Sequence, residues 1–163
     1  MKNNCLKAFL HEHIVYEIDM LYYSYSELIN YFKIKNQLNI NVFLEDFSLH
    51  ARNLYEFFYY EKKKYETDSR AYDFFNKKSD WLNILPKPSI SKQQVYERAG
   101  KEIAHLTYKR INGITPNKGW NTERIFQDLF KIIKLFLENL PEEFDGNSIL
   151  NKRQNRGTVV NAQ

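Results

Sequence analysis

The chain has 163 residues, the length of one ordinary domain, with 43% apolar and 16% aromatic residues but only five glycines and four prolines, so a core is available but little material for a turn-rich sandwich or barrel. Charged residues make up 27%, mean hydropathy is −0.62 and the net charge is +4 with a pI near 9.0; no apolar run approaches the ~18 residues of a membrane span, and the positive excess suggests an anionic partner. One cysteine, Cys5, allows no internal disulfide, and the N-terminus lacks a secretory pattern, so the expectation is a cytoplasmic protein with no membrane partner.

In chain order, Leu10, Ile14, Ile18, Leu21, Tyr25, Leu28 and Phe32 recur at steps of three or four, which predicts a helix from about Cys5 to Phe32. The polar stretch Lys33 to Asn41 reads as a connection, with Asn39 or Asn41 as the next N-cap. A second helix is expected from about Val42 to Lys63, with Phe43, Phe47, Leu54 and Phe57 along one stripe. Lys64 to Pro88 is irregular, but its aromatic residues imply a short helix and loop packed on the bundle. Ser91 followed by Gln94 is a capping-box signature. The helix it opens should run to about Ile111 and stop at Asn112-Gly113.

The last helix is expected to begin near Asn121 or Thr122, with Ile125, Leu129, Ile132, Phe136 and Leu140 facing the core before Pro141 ends it. Beyond Gly146 the composition turns polar and basic. The predicted organisation is one helical domain over residues 1–145 and a flexible basic tail over 146–163. The expected fold class is all-α, a four- to five-helix up-down bundle.

Basic charge is concentrated in two places. Between Lys87 and Arg110 six basic residues face two acids, and the tail adds Lys152, Arg153 and Arg156 without an acid. The bland reading is a solvated helix face and a loose end; the sharper one is an anion-binding surface. The third principal helix favours the sharper one. Arg98 and His105 lie seven apart, two turns, and align on one face, flanked by Lys101, Glu102, Tyr108 and Lys109. A fixed guanidinium can stabilise a phosphorane-like transition state. An imidazole can give or take a proton near neutrality.

Arg98 and His105, with six residues between them, resemble the R-x(4–6)-H motif of HEPN domains, small all-helical prokaryotic proteins common in toxin–antitoxin and anti-phage systems. The resemblance spans roughly Leu10 to Leu140. It implies a HEPN-like bundle and a homodimer that brings two motifs into one cleft. It also implies a metal-independent endoribonuclease or RNA-binding protein, with Arg98 and His105 catalytic and no cofactor. A cognate antitoxin or other partner protein would accompany such a chain.

The second helix carries a further polar group. His50 lies in the aromatic stripe, with Asp46 four before it and Asn53 three after it. Asp46 could orient His50 from one turn away, and Asn53 could add a hydrogen bond. If this helix packs on the third, His50, Asn53, Arg98 and His105 could share a pocket, with Lys101, Glu102 and Tyr108 supporting the substrate. A satisfied core histidine is the simpler account of His50. Metal binding is not expected. His11 and His13 point about 200° apart on a helix, and Glu102-x-x-His105 has no second copy of that spacing. A non-catalytic helical module that docks a partner protein or a nucleotide is the alternative function.

Overall fold

The computed structural model describes residues 2–99 and 119–155, and the regular structure among them is entirely helical. The chain starts with α1 (Lys2–Phe9), widens into one π turn (Leu10–Ile14) and continues as α2 (Val15–Lys33). The predicted stripe buries Leu10, Ile14, Ile18, Leu21, Tyr25 and Leu28. Phe32, in the last turn before the connection, is exposed instead.

That connection is shorter than the sequence suggests. Asn36 N–H donates to the Tyr31 carbonyl at 3.1 Å and Lys35 N–H to that of Phe32 at 3.2 Å, while Lys35 adopts φ 55°. This is a Schellman stop with lysine where glycine is usual. The next residue, Asn36, caps α3 (Gln37–Tyr59) by accepting from Asn39 N–H at 3.2 Å. The N-cap is therefore Asn36, not Asn39 or Asn41. The helix begins five residues before the expected Val42 because the chain leaves the left-handed turn directly onto a capping asparagine, and it ends at Tyr59, short of Lys63, where the Tyr60 backbone turns extended (φ −88°, ψ 121°).

Cross-helix pairs set the directions. Glu17 meets His50, and the Tyr23 and Tyr31 rings meet Phe43, so α2 and α3 are antiparallel neighbours. Tyr22 and Tyr25 meet Phe126, with the Tyr25 and Phe126 rings stacked 4.0 Å apart. Phe57 and Phe58 both meet Phe136, ten residues further along α6 (Thr122–Asn139). Helix α6 therefore runs parallel to α3 and antiparallel to α2. Its cap, Asn121, accepts from Arg124 N–H at 3.2 Å, as the sequence predicts.

The irregular segment packs as its aromatics imply. A 3-10 turn (Ala71–Phe74) and α4 (Lys78–Ile84) deliver Phe74, Phe75 and Trp81 to Phe136, with ring centroids 5.6–6.1 Å away and rings steeply inclined. Edge-to-face pairs of this kind add to the burial energy. Trp81 Nε1–H donates to the Phe58 carbonyl at 3.1 Å, so the one polar atom of that buried ring is satisfied. Ser91 accepts from Gln94 N–H and opens α5 (Lys92–Arg98), which packs on α3. The expected continuation toward Ile111 lies outside the described residues.

After Pro141 a 3-10 turn (Glu142–Phe144) and Asp145 at φ 55° lead into α7 (Gly146–Asn155). The predicted tail is thus helical up to Asn155, and 156–163 lie outside the described residues. Phe144 and Ile149 are buried, and a Cβ on Gly146 would collide with the Leu137 carbonyl. Phe144 meets the Phe74 ring, Ile149 is buried and Gly146 lies close against Leu137 of α6, anchoring that the segment's polar average composition conceals. Among the described residues no helix is long and apolar enough to cross a membrane.

Candidate functional site

Two polar places stand out, one on each side of α3. The first lies between α2 and α3 and centres on His50, only 4% exposed. Its Nδ1 lies 2.8 Å from Glu17 Oε2 on α2, and its Nε2 lies 3.4 Å from Asp46 Oδ1, one turn back on α3. Asn53 Nδ2–H donates to the same Glu17 oxygen at 3.2 Å, and the Tyr16 ring stands edge-on to the imidazole at 5.8 Å. Asp46 thus takes the expected position beside His50, whereas Asn53 reaches His50 only through Glu17. Glu17 and Tyr16 are the members that sequence reasoning missed. Their one signal is position: Glu17 immediately precedes the buried Ile18 of α2, and Tyr16 stands next to it on the exposed side of the helix.

Both imidazole nitrogens face carboxylate oxygens, and an ionised carboxylate only accepts. The arrangement fits the doubly protonated ring. Burial pulls the His50 pKa down most strongly of any single influence, but Glu17 and Asp46, by charge and hydrogen bonding, together raise it above the ordinary value. The chemistry is that of an ion-paired clamp between two helices. With both nitrogens engaged, His50 is poorly placed to exchange protons with a bound substrate.

The second place lies between α5 and α6. Arg98, the last residue of α5, sets its guanidinium 4.6 Å above the Trp120 ring and donates from Nη1 to the Gly119 carbonyl at 3.4 Å. Arg98 and Trp120 border a cleft of about 190 Å³, whose other walls include Gln94, Val95, Asn121 and Ile125. The loop before α5 is tied down by Asp128 of α6. One of its oxygens accepts from Ser89 N–H at 2.8 Å, Ser89 Oγ at 2.7 Å, Ile90 N–H at 3.3 Å and Tyr55 Oη at 3.3 Å. Arg124 Nε–H completes the tie to Ser89 Oγ at 3.0 Å. Burial, then the nearby Asp128 charge, pushes the Tyr55 hydroxyl far above its ordinary range, and the same two causes raise Tyr59.

Helix α3 does pack on α5, but through Arg52, whose guanidinium lies 4.4 Å from the Tyr96 ring centre. Two residues on a helix point about 200° apart, so turning Arg52 to α5 turns His50 to α2. The contacts described for His50 and Asn53 therefore lie on the α2 side, and those for Arg98 on the α6 side. His105, Lys101, Glu102 and Tyr108 lie outside the described residues. Among the described residues no three His, Cys, Asp or Glu side chains are grouped so as to hold a metal ion.

Comparison with protein-family models, with curated proteins and with solved structures finds no match to this chain.

Proposed function

We propose that the chain is a HEPN-like protein of a prokaryotic defence or toxin–antitoxin system, working as a homodimer that binds RNA and cuts it without a metal ion. The observation that supports this most is the setting of Arg98, at the border of a cleft of about 190 Å³ with its guanidinium stacked on Trp120. Stacking fixes the plane of a guanidinium, and the planar fork of donors it carries matches the geometry of a phosphate. In the reaction the RNA 2′-hydroxyl attacks the adjacent phosphorus and the 5′-oxygen leaves, giving a cyclic phosphate. His105 is the general acid–base group, and Arg98 stabilises the charge that develops on the phosphoryl oxygens. Lys101, Glu102 and Tyr108 position the backbone. His50 and Asn53, paired with Glu17, support the helices rather than touch the strand.

Single-stranded RNA incubated with the purified protein in excess EDTA tests this directly. The expected result is cleavage to cyclic-phosphate ends, lost in Arg98→Ala and in His105→Ala while both variants keep the wild-type melting temperature. RNA left intact by a folded wild-type protein would overturn the nuclease reading. The alternative, a non-catalytic module that docks a partner protein, draws its support from a different surface, described next.

A further inference from the structure

The outer side of the α2/α3 hairpin carries exposed apolar side chains that pack against no other element among the described residues. On α2, Tyr16 and Tyr23 are both 53% exposed and stand seven residues apart, with Met20 between them. On α3, Leu38, Val42 and Leu49 are 74%, 52% and 47% exposed, at spacings of four and seven. The pairs Tyr16–His50 and Tyr23–Phe43 set Tyr16 level with Leu49 and Tyr23 level with Val42. The five side chains therefore form a two-rail strip along one face of the hairpin. Their exposed area amounts to roughly 500–600 Å², at the upper limit of what a monomer leaves open and approaching the ~800 Å² each partner gives a standard interface.

Charge on this face decides the occupant. Neither 15–32 nor 36–51 contains a lysine or arginine, whereas their α3-facing and outer sides hold Glu17, Glu27, Glu45 and Asp46. The one titratable cation there, His50, is buried between two of those carboxylates; Lys33 and Lys35 sit at the hairpin tip. RNA and anionic lipid are repelled by such a surface. A second copy docked face to face would bring two sets of carboxylates together, which is unfavourable in a partly desolvated interface. A ligand with an apolar stripe and flanking cations meets both features. We infer that the α2/α3 face is a docking site for a basic amphipathic helix of a partner protein, seated by helix-in-groove packing on Tyr16, Tyr23, Val42 and Leu49. This goes beyond the RNA reading and does not depend on whether RNA is cut.

The probes are two fluorescent 18-residue helices with the same leucine stripe, one with lysine and one with glutamate at its polar positions, titrated with the full chain. The lysine helix should bind at least ten times more tightly than the glutamate helix. Val42→Asp combined with Leu49→Asp should weaken it at least tenfold. Glu27→Lys combined with Glu45→Lys, which leaves the apolar strip intact, should invert the preference. Ile84→Asp, at an exposed site on α4, should change nothing. Equal binding of the two helices, no binding, or a preference unmoved by the charge swap overturns the inference. So does a dimer seen by sedimentation that Val42→Asp with Leu49→Asp dissolves, because the face then belongs to a second copy.

Discussion

Replacing His50 by leucine is the sharpest probe of the clamp between α2 and α3. The imidazole is 4% exposed and faces Glu17 at 2.8 Å and Asp46 at 3.4 Å. Leucine fills much of the same volume, so the loss is mainly electrostatic. A hydrogen bond to a charged group is worth about 1.5–3 kcal/mol. Of the two here, the Asp46 contact is long, and the carboxylate side chains are 22% and 30% exposed and can rehydrate. A net loss of about 2 kcal/mol near pH 6 follows, which in a chain of this size lowers Tm by about 4–8 °C. The pH dependence carries the sign. The folded pKa is raised above its ordinary value, so the stabilisation is fully present below about pH 6.5 and disappears as pH rises through the folded value. Urea unfolding of both proteins at intervals from pH 5 to 9 measures the difference. The gap should be widest at the acid end of that range and narrow on the alkaline side. A gap that stays constant, or widens with pH, refutes the charged clamp and leaves a neutral, singly bonded histidine.

Two other perturbations test features that position the sites. Lys35→Gly should stabilise the protein by about 0.5–1 kcal/mol, since the left-handed strain it relieves exceeds the added entropy of the unfolded chain; a lower urea midpoint would contradict the Schellman stop. Asp128→Ala removes the shared acceptor of Ser89, Ile90 and Tyr55 and should cost about 2–3 kcal/mol. It should also bring an alkaline phenol titration downward, because the Asp128 charge helps hold Tyr55 and Tyr59 high. An unchanged absorbance titration would refute that coupling.

The elements that were legible in the sequence are those whose signal is local. The 3.6-residue stripe of α2 as far as Leu28, that of α6 as far as Phe136, and the caps at Ser91 and Asn121 appear where periodicity and capping chemistry put them. The misplaced start of α3 has a local cause of another kind: a lysine, Lys35, occupies a left-handed position that reads as glycine's, so the stop was invisible. Helix α7 is not legible because its anchoring rests on the burial of Ile149 and the close approach of Gly146 to Leu137 of α6, tertiary packing that no periodic stripe announces. The His50 cluster shows both limits at once. Asp46 was found at i−4, but Glu17 lies 33 residues away on another helix, and no spacing rule brings it to His50. Nor does any rule say whether His50 or Arg52 turns to α5; packing decides.

The charge of the chain divides along the same line as its surfaces. Through Tyr60 there are five lysines and arginines against seven acids, a net of −2, which leaves +6 for the remainder. On the proposed readings a polyanion is drawn to the second half, around Arg98, while a cationic helix is drawn to the α2/α3 face. The two ligands need not compete for one surface, because His50 and Arg52 point α3 toward different neighbours. Their mutual attraction even favours joint binding, as a basic partner docked on α2/α3 offsets the carboxylates that repel RNA. Salt then separates the two. RNA binding releases counterions from the strand and falls steeply with ionic strength, whereas the helix keeps the apolar part of its affinity. Raising salt from 50 to 200 mM should therefore release RNA from a ternary complex and leave the lysine helix seated on Tyr16, Tyr23, Val42 and Leu49.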